Sequence, residues 1–398
     1  MKRIKKLSIV LMIFFIFGFV LSFLMDKGIT TLYFSSLKEI PWYIYILGFI
    51  LIFYLTLTIH ELGHLISFKV QGVKIRALYL TIFVFVKEDQ KIKFKIHPKL
   101  WVLLGGLVIP DLAKIESKED YEKTVKIFRN ALISAPITTI TYMSLSILVF
   151  LLSMIFLDAS LLLGLIILHM IYVTLLSSLY IYTFKLNTQS LYGDIIAYRK
   201  MKDDPIFTFA QISQYTEFSS ETSEKEKRFI FDMATDILSV APKMNDFFIQ
   251  HILLYYLEGI IKQDYPINAV VESKINQINM HAFVRNEEGL FAYHEIILHD
   301  YKLKNVEKAY DKYEKVSQLQ RKKIDQQLTI YLNHKTAHQI HIKDHQQFLE
   351  NKQNIYIGDH WIFEPVIDPY QAYLEDLNKL PFVDYVCEVT LEENHEAK

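Results

Sequence analysis

The pentapeptide His60-Glu61-Leu62-Gly63-His64 stands just after a run that is apolar from Trp42 to Leu55. It has the form H-E-x-x-H. On a helix, histidines spaced by four lie one turn apart on the same face, where both imidazoles can bind one metal ion. Glu61 points about a quarter-turn away and can polarise a water on that ion. The position is costly: charged groups near a bilayer centre cost about 2.5–3.5 kcal/mol each on insertion scales, and they are kept where they are paired or hold a metal. Thr56, one turn before His60, and Gly63 keep the surroundings small and weakly polar. The competing reading is a chance pentapeptide on a structural helix.

Composition narrows the ligand types. Cys387 is the single cysteine, so the chain can form neither an intrachain disulfide nor a cysteine metal cluster, and any metal must be held by His, Asp or Glu. Cys387 has no motif around it and reads as an ordinary buried thiol. A formal net charge of −1 argues against a nucleic-acid binder. No phosphate-binding glycine loop or serine triad signature stands out. The chain is 52% hydrophobic, with the excess in its first half, and its 398 residues allow two or three domains.

Four apolar segments are long enough to cross a bilayer: about 7–25, 42–70, 131–157 and 161–184. The first follows a basic start, Met1 to Lys6, but no small-residue cleavage site follows it, so it reads as an uncleaved span. Basic residues cluster at the N-terminus, in the stretch after the pentapeptide and after the fourth span. By the positive-inside rule both termini lie in the cytoplasm of a multi-pass cell-membrane protein. Between the second and third spans, about 77–110, a β-hairpin and a re-entrant stretch are expected. Leu78 to Val86 and Lys91 to Ile96 read as its strands, and Trp101 to Pro110 is apolar but too short to span. The Leu78–Val86 strand could present an edge to an extended substrate.

From about residue 203 the pattern changes to helix-period segments: Glu224 to Val240, Met244 to Gln263, Ile267 to Met280, Glu288 to Leu303 and Val306 to Ile342. They read as a soluble helical bundle, followed by an irregular stretch from Ile355 to Pro381 and a frayed tail. The expected fold is therefore mainly α. It comprises a transmembrane domain over 1–202, with four transmembrane helices and a small membrane-associated β-region, and a cytoplasmic α-helical domain over 203–398.

On these residues the chain resembles the site-2 protease family of intramembrane zinc metalloproteases over about its first 200 residues. HELGH in an apolar span is that family's main signature. Gly105-Gly106 resembles the glycine pair of its β-region. Ser134-Ala135-Pro136 resembles its small-residue–Gly–Pro opening of the next core helix, with Ala135 in place of glycine. The family takes its third zinc ligand, an aspartate, from a motif after a later core helix. That motif pairs an upstream asparagine with prolines and ends in Asp-Gly. Asn187 to Asp194 is the matching stretch here. The prolines are absent, and Gly193 precedes the aspartate.

The resemblance implies Zn²⁺ held by His60, His64 and Asp194, with Glu61 as general base and then proton donor to the leaving amine. It implies that Asn187 holds substrate backbone, and that the substrates are transmembrane or signal-peptide-like helices in the lipid bilayer. A solvated cap on the following helix is the other reading of Asp194, and Asp111 is the next candidate ligand. The cytoplasmic helical domain could recruit substrate or a protein partner. The alternative function is a catalytically inactive membrane scaffold whose helical domain binds that partner.

Two further histidine features stand out. His169, mid-way along the fourth span, is either hydrogen-bonded to a neighbouring helix or an oxyanion-stabilising group. His334, His338, His341 and His345 form one stripe if their segment is helical, either a metal- or pH-sensing stripe or a solvated face, with Asp344 pointing off it.

Overall fold

A computed structural model describes residues 28–367, apart from 89–90, 104, 189–191, 220–221, 320–321, 323 and 357–361. The expected first span, Cys387 and the C-terminal tail lie outside the described residues. The chain divides into two units. The first comprises residues up to Pro110 together with Lys126–Asp203; the second comprises Asp111–Val125 together with residues from Asp204 onward.

In the first unit, α1 (Ile29–Lys38) and α2 (Trp42–Val70) precede a sheet of β1 (Lys74–Leu80), β2 (Phe83–Glu88), β3 (Lys91–Ile96) and β4 (Gly106–Asp111). The helices α3 (Lys118–Phe156, of which the residues from Lys126 onward belong to this unit), α4 (Leu161–Thr183) and α5 (Asp194–Asp203) follow. Among the described residues three helices are long and apolar enough to cross a membrane: α2, α3 and α4. Apolar residues occur on every side of α2 and α4, so neither has the narrow stripe of a helix facing a soluble core. Proline at position 41 sets the extended backbone from which α2 starts, and Ser160 caps α4 by accepting from the Leu163 N–H. α2 packs on α4 and on β1.

The sheet order is β3-β2-β1-β4, and three sequence readings need correction. Leu78–Val86 is not one strand but parts of two. A turn at Thr81–Ile82 reverses the chain, so that Leu80 pairs with Phe83 and Leu78 with Phe85. The turn was hidden because neither glycine nor proline marks it. Thr81 takes φ 50 and is tied down instead: its N–H donates to the Gly105 carbonyl and its Oγ1 to the Tyr54 hydroxyl, each at 3.0 Å. The apolar stretch expected to be re-entrant forms a short 3₁₀ turn, Pro98–Leu103, and then β4, which hydrogen-bonds to β1. Pairing with β1 satisfies backbone groups that an isolated apolar loop would leave open. Finally, β1 and β2 are interior strands, so Leu78–Val86 has no free edge; the edges are β3 and β4.

In the second unit, α6 (Pro205–Thr216), α7 (Glu224–Val240), α8 (Phe247–Gln263), α9 (Ala269–Asn276) and α10 (Met280–Phe283) are followed by α11 (Glu287–Lys302), α12 (Val306–Ser317), α13 (Gln326–Gln339) and α14 (Gln346–Glu350). Side chains of Asp204, Ser223, Asp246, Asn268, Asn279, Asn286 and Asp325 each accept a backbone N–H at a helix start. Each thereby fills one of the donors that a helix N-terminus leaves open. α8 is central, packed against α6, α7 and α11, with Ile252, Leu253 and Leu257 fully buried. The polar residues that interrupt its apolar pattern are paired: Gln250 donates to the Phe283 carbonyl at 2.8 Å, and His251 Nδ1 lies 2.9 Å from Glu288 Oε1.

The expected helices Ile267–Met280 and Val306–Ile342 are each broken in two. The end of the second piece removes the histidine stripe. α13 ends at Gln339, and His341 sits at φ 57 in the turn beyond it. The chain then folds back, placing His345 Nδ1 3.0 Å from His334 Nδ1 and stacking the His334 ring on Phe348. Asp344, expected to point away, lies 3.3 Å from His338 Nδ1.

Candidate metal centre

The pentapeptide lies in the second half of α2, as its helical spacing requires, with His60 6% and Glu61 3% exposed. The close packing that buries it comes from small residues. A Cβ at Gly63 would stand 2.7 Å from the Ala135 Cα, so α2 and α3 approach backbone to backbone there. Ser134 strengthens the same crossing by donating to the Gly63 carbonyl at 2.8 Å. Pro136, inside α3, has no N–H to donate and so removes one helix hydrogen bond.

α3 supplies the acceptors that orient both histidines, one on each side of Pro136. His64 Nδ1 is 2.8 Å from the Ala131 carbonyl, which can only accept, so the proton is on Nδ1. His60 Nδ1 is 3.0 Å from Thr139 Oγ1, whose own hydrogen goes to the Ala135 carbonyl at 3.1 Å. A Thr139 hydroxyl that donates to Ala135 accepts from His60, which puts the proton on Nδ1 there too. In both rings the Nε2 lone pair is left free, the tautomer a metal-binding imidazole needs. The His60 ring is held further by stacking with Tyr180 and Phe184, at centroid distances of 5.3 and 5.4 Å.

Asp194, the first residue of α5, is brought back to these two nitrogens. Its Oδ2 is 3.4 Å from His60 Nε2 and 3.7 Å from His64 Nε2. Gly193 makes this return possible: a Cβ there would lie 2.0 Å from the Thr183 carbonyl oxygen. The glycine that precedes the aspartate, a departure from the family pattern, thus lets the chain close against the end of α4. Ligand atoms of His60, His64 and Asp194 all lie within 4.8 Å of one another, and they are the one group among the described residues with that property. Asp111 is not part of it.

The donor set fits a divalent cation such as zinc. It offers two neutral imidazoles and one carboxylate, and ligands about 2.0–2.1 Å from a tetrahedral ion stand roughly 3.3 Å apart. The separations to Asp194 are long for hydrogen bonds and close to that value. Glu61 sits beside the group, where its side chain lies against Gly106: a Cβ at Gly106 would stand 2.5 Å from Glu61 Cγ. No hydrogen bond among the described residues commits the Glu61 carboxylate, which leaves it able to accept a proton.

Asn187 is not brought into the ligand group. It pairs through its backbone with Tyr192, and its side chain is exposed. His169 is satisfied at both nitrogens, by the Tyr142 hydroxyl at 3.0 Å and Ser146 Oγ at 3.1 Å, which is the hydrogen-bonded reading and not the oxyanion one. Thr139, Tyr180 and Phe184 were not anticipated. The signals were present but faint: Tyr180 and Phe184 share a helix face at a spacing of four, and Thr139 belongs to a small polar stripe with Ser134 and Thr138.

Comparison with curated proteins and with solved structures finds no match. Comparison with protein families matches peptidase family M50 over residues 48–351. The match takes in both the pentapeptide and Asp194 and covers well over half of the sequence, so the chain belongs to peptidase family M50, the site-2 protease family of membrane metalloproteases.

Proposed function

We propose that the chain is a zinc endopeptidase that cleaves transmembrane or signal-peptide-like helices within or beside the bilayer. One observation carries the reading: two histidines of matched tautomer and one aspartate converge beside a buried, uncommitted glutamate. His60, His64 and Asp194 are the three protein ligands, a number that leaves a coordination position open. Zinc, when bound there, supplies the Lewis acidity that makes water a nucleophile near neutral pH. Glu61 takes the proton of the attacking water and returns it to the leaving amide nitrogen. Asn187, in the loop that leads to Asp194, serves the unwound substrate backbone. Four spans place both termini in the cytoplasm, and the helical unit from Asp204 recruits substrate or a partner protein there. The scaffold alternative is not favoured, because the family is one of peptidases.

The test compares membrane-protein fragments in cells carrying the wild-type chain and Glu61→Gln. Fragments that depend on the wild type should vanish in the variant at equal protein level and equal bound zinc. Identical fragments in both would remove the catalytic assignment.

A further inference from the structure

One buried polar atom beside the metal centre has no partner and no local remedy. The Tyr180 hydroxyl is buried and makes no hydrogen bond among the described residues. Thr56 and Ser177, on α2 and α4, are also buried without partners, but a serine or threonine in a helix can turn its hydroxyl to a carbonyl one turn back. A tyrosine hydroxyl stands at the far end of a rigid ring and cannot. The Tyr180 ring is fixed by stacking on the ligand His60, at 5.3 Å and 17° between planes. A neutral donor is thus held beside a ligand, unpaired among the described residues. Buried donors are normally paired, and an unpaired one at a reactive site is a group waiting for a partner.

We infer that the Tyr180 hydroxyl is the hydrogen-bond donor for the oxygen of the scissile carbonyl as that oxygen becomes negative. The inference rests on the peptidase reading above. In the step it assists, the water oxygen bonds to the carbonyl carbon and the C=O π pair moves onto oxygen. The water proton passes to Glu61. When the C–N bond breaks, the oxygen pair re-forms the carbonyl and the nitrogen takes the proton from Glu61. Tyr180 keeps its own proton throughout. A donor fixed before reaction needs no rearrangement as charge develops, which is what makes such groups effective. The phenol suits the role because, being neutral, it neither quenches Glu61 nor competes for the metal.

The test uses the zinc-loaded full chain in lipid nanodiscs and the variant Tyr180→Phe, which keeps the stacked ring. Two probes are titrated: a leucine-rich phosphinic peptide, whose tetrahedral anion mimics the developing charge, and the matched amide peptide. The wild type should bind the phosphinic peptide more tightly. Tyr180→Phe should lose about 10²-fold of that affinity. Amide-peptide affinity, zinc content and thermal unfolding should not change. Equal phosphinic affinity in the two chains overturns the assignment. Loss of zinc in Tyr180→Phe overturns it as well, because the hydroxyl would then be structural. A wild type that takes up no zinc, or does not prefer the phosphinic peptide, overturns the peptidase reading itself.

Discussion

Replacing Gly106 with alanine isolates the placement of Glu61 from the rest of the site. The added Cβ would lie 2.5 Å from Glu61 Cγ, 2.6 Å from Cδ and 2.7 Å from Oε1. Carbon atoms in contact normally stand about 3.5–4.0 Å apart, so the glutamate must withdraw by about 1 Å. Because the atoms displaced belong to a flexible side chain and not to backbone, the fold loses no more than the ~1–3 kcal/mol typical of overpacking. The chemistry should lose more. A misplacement of about 1 Å in a reacting group can cost 10²-fold, equivalent to roughly 2.7 kcal/mol of barrier. The assay follows a membrane-protein fragment that the wild type produces and Glu61→Gln does not. Gly106→Ala should form it about 10²-fold more slowly, with bound zinc per chain unchanged. A wild-type rate in Gly106→Ala, alongside an inactive Glu61→Gln, would show that this contact does not position the base. Loss of zinc would show that the alanine disturbs the ligands instead.

The remaining predictions concern tautomer and pH. Thr139→Val removes the acceptor 3.0 Å from His60 Nδ1 and should weaken zinc binding by about 10–100-fold in a chelator competition; unchanged affinity would mean that something else sets the His60 tautomer. His294, 1% exposed on α11, has Nδ1 2.8 Å from Thr336 Oγ1 and a buried Nε2 with no partner among the described residues. Burial, with the Lys335 charge second, pushes its pKa down to about 3. The folded chain therefore holds the neutral ring while the unfolded chain takes up a proton below about pH 6.5, so stability is full above that pH and is lost as pH falls toward 3. The loss is of order several kcal/mol. Hydrogen exchange in α11 and α13 should accelerate across that window in the wild type and much less in His294→Gln, and equal acceleration in both would contradict the assignment.

Sequence reading succeeded where the signal is local. The helix-period segments read as starting at Glu224, Glu288 and Val306 begin within one residue of α7, α11 and α12, because the apolar period is set within a few turns. Reading failed where distant partners decide. The Thr81 turn carries no glycine or proline and is stabilised by Gly105 and Tyr54, residues remote in sequence. β4 looks like a short apolar loop until β1 is beside it. The His334–His345 stripe assumed a helix that runs past Gln339, but His341 takes a left-handed conformation and brings His345 back onto His334.

That His60 and His64 share one helix face, with Glu61 beside them, was legible from sequence alone, because helical periodicity by itself puts i and i+4 together. The long apolar runs of α2, α3 and α4 were equally plain, since crossing a bilayer is a matter of length and composition. Tertiary structure decided which carboxylate approaches the two histidines. It brings Asp194 within 3.4 and 3.7 Å of two imidazoles more than a hundred residues earlier, by way of a glycine that packs where no side chain fits. It also decided the protonation of those imidazoles, through Ala131 and Thr139 on a different helix. Both decisions depend on how helices approach one another, and that approach is set by packing between segments whose spacing along the chain carries no record of it.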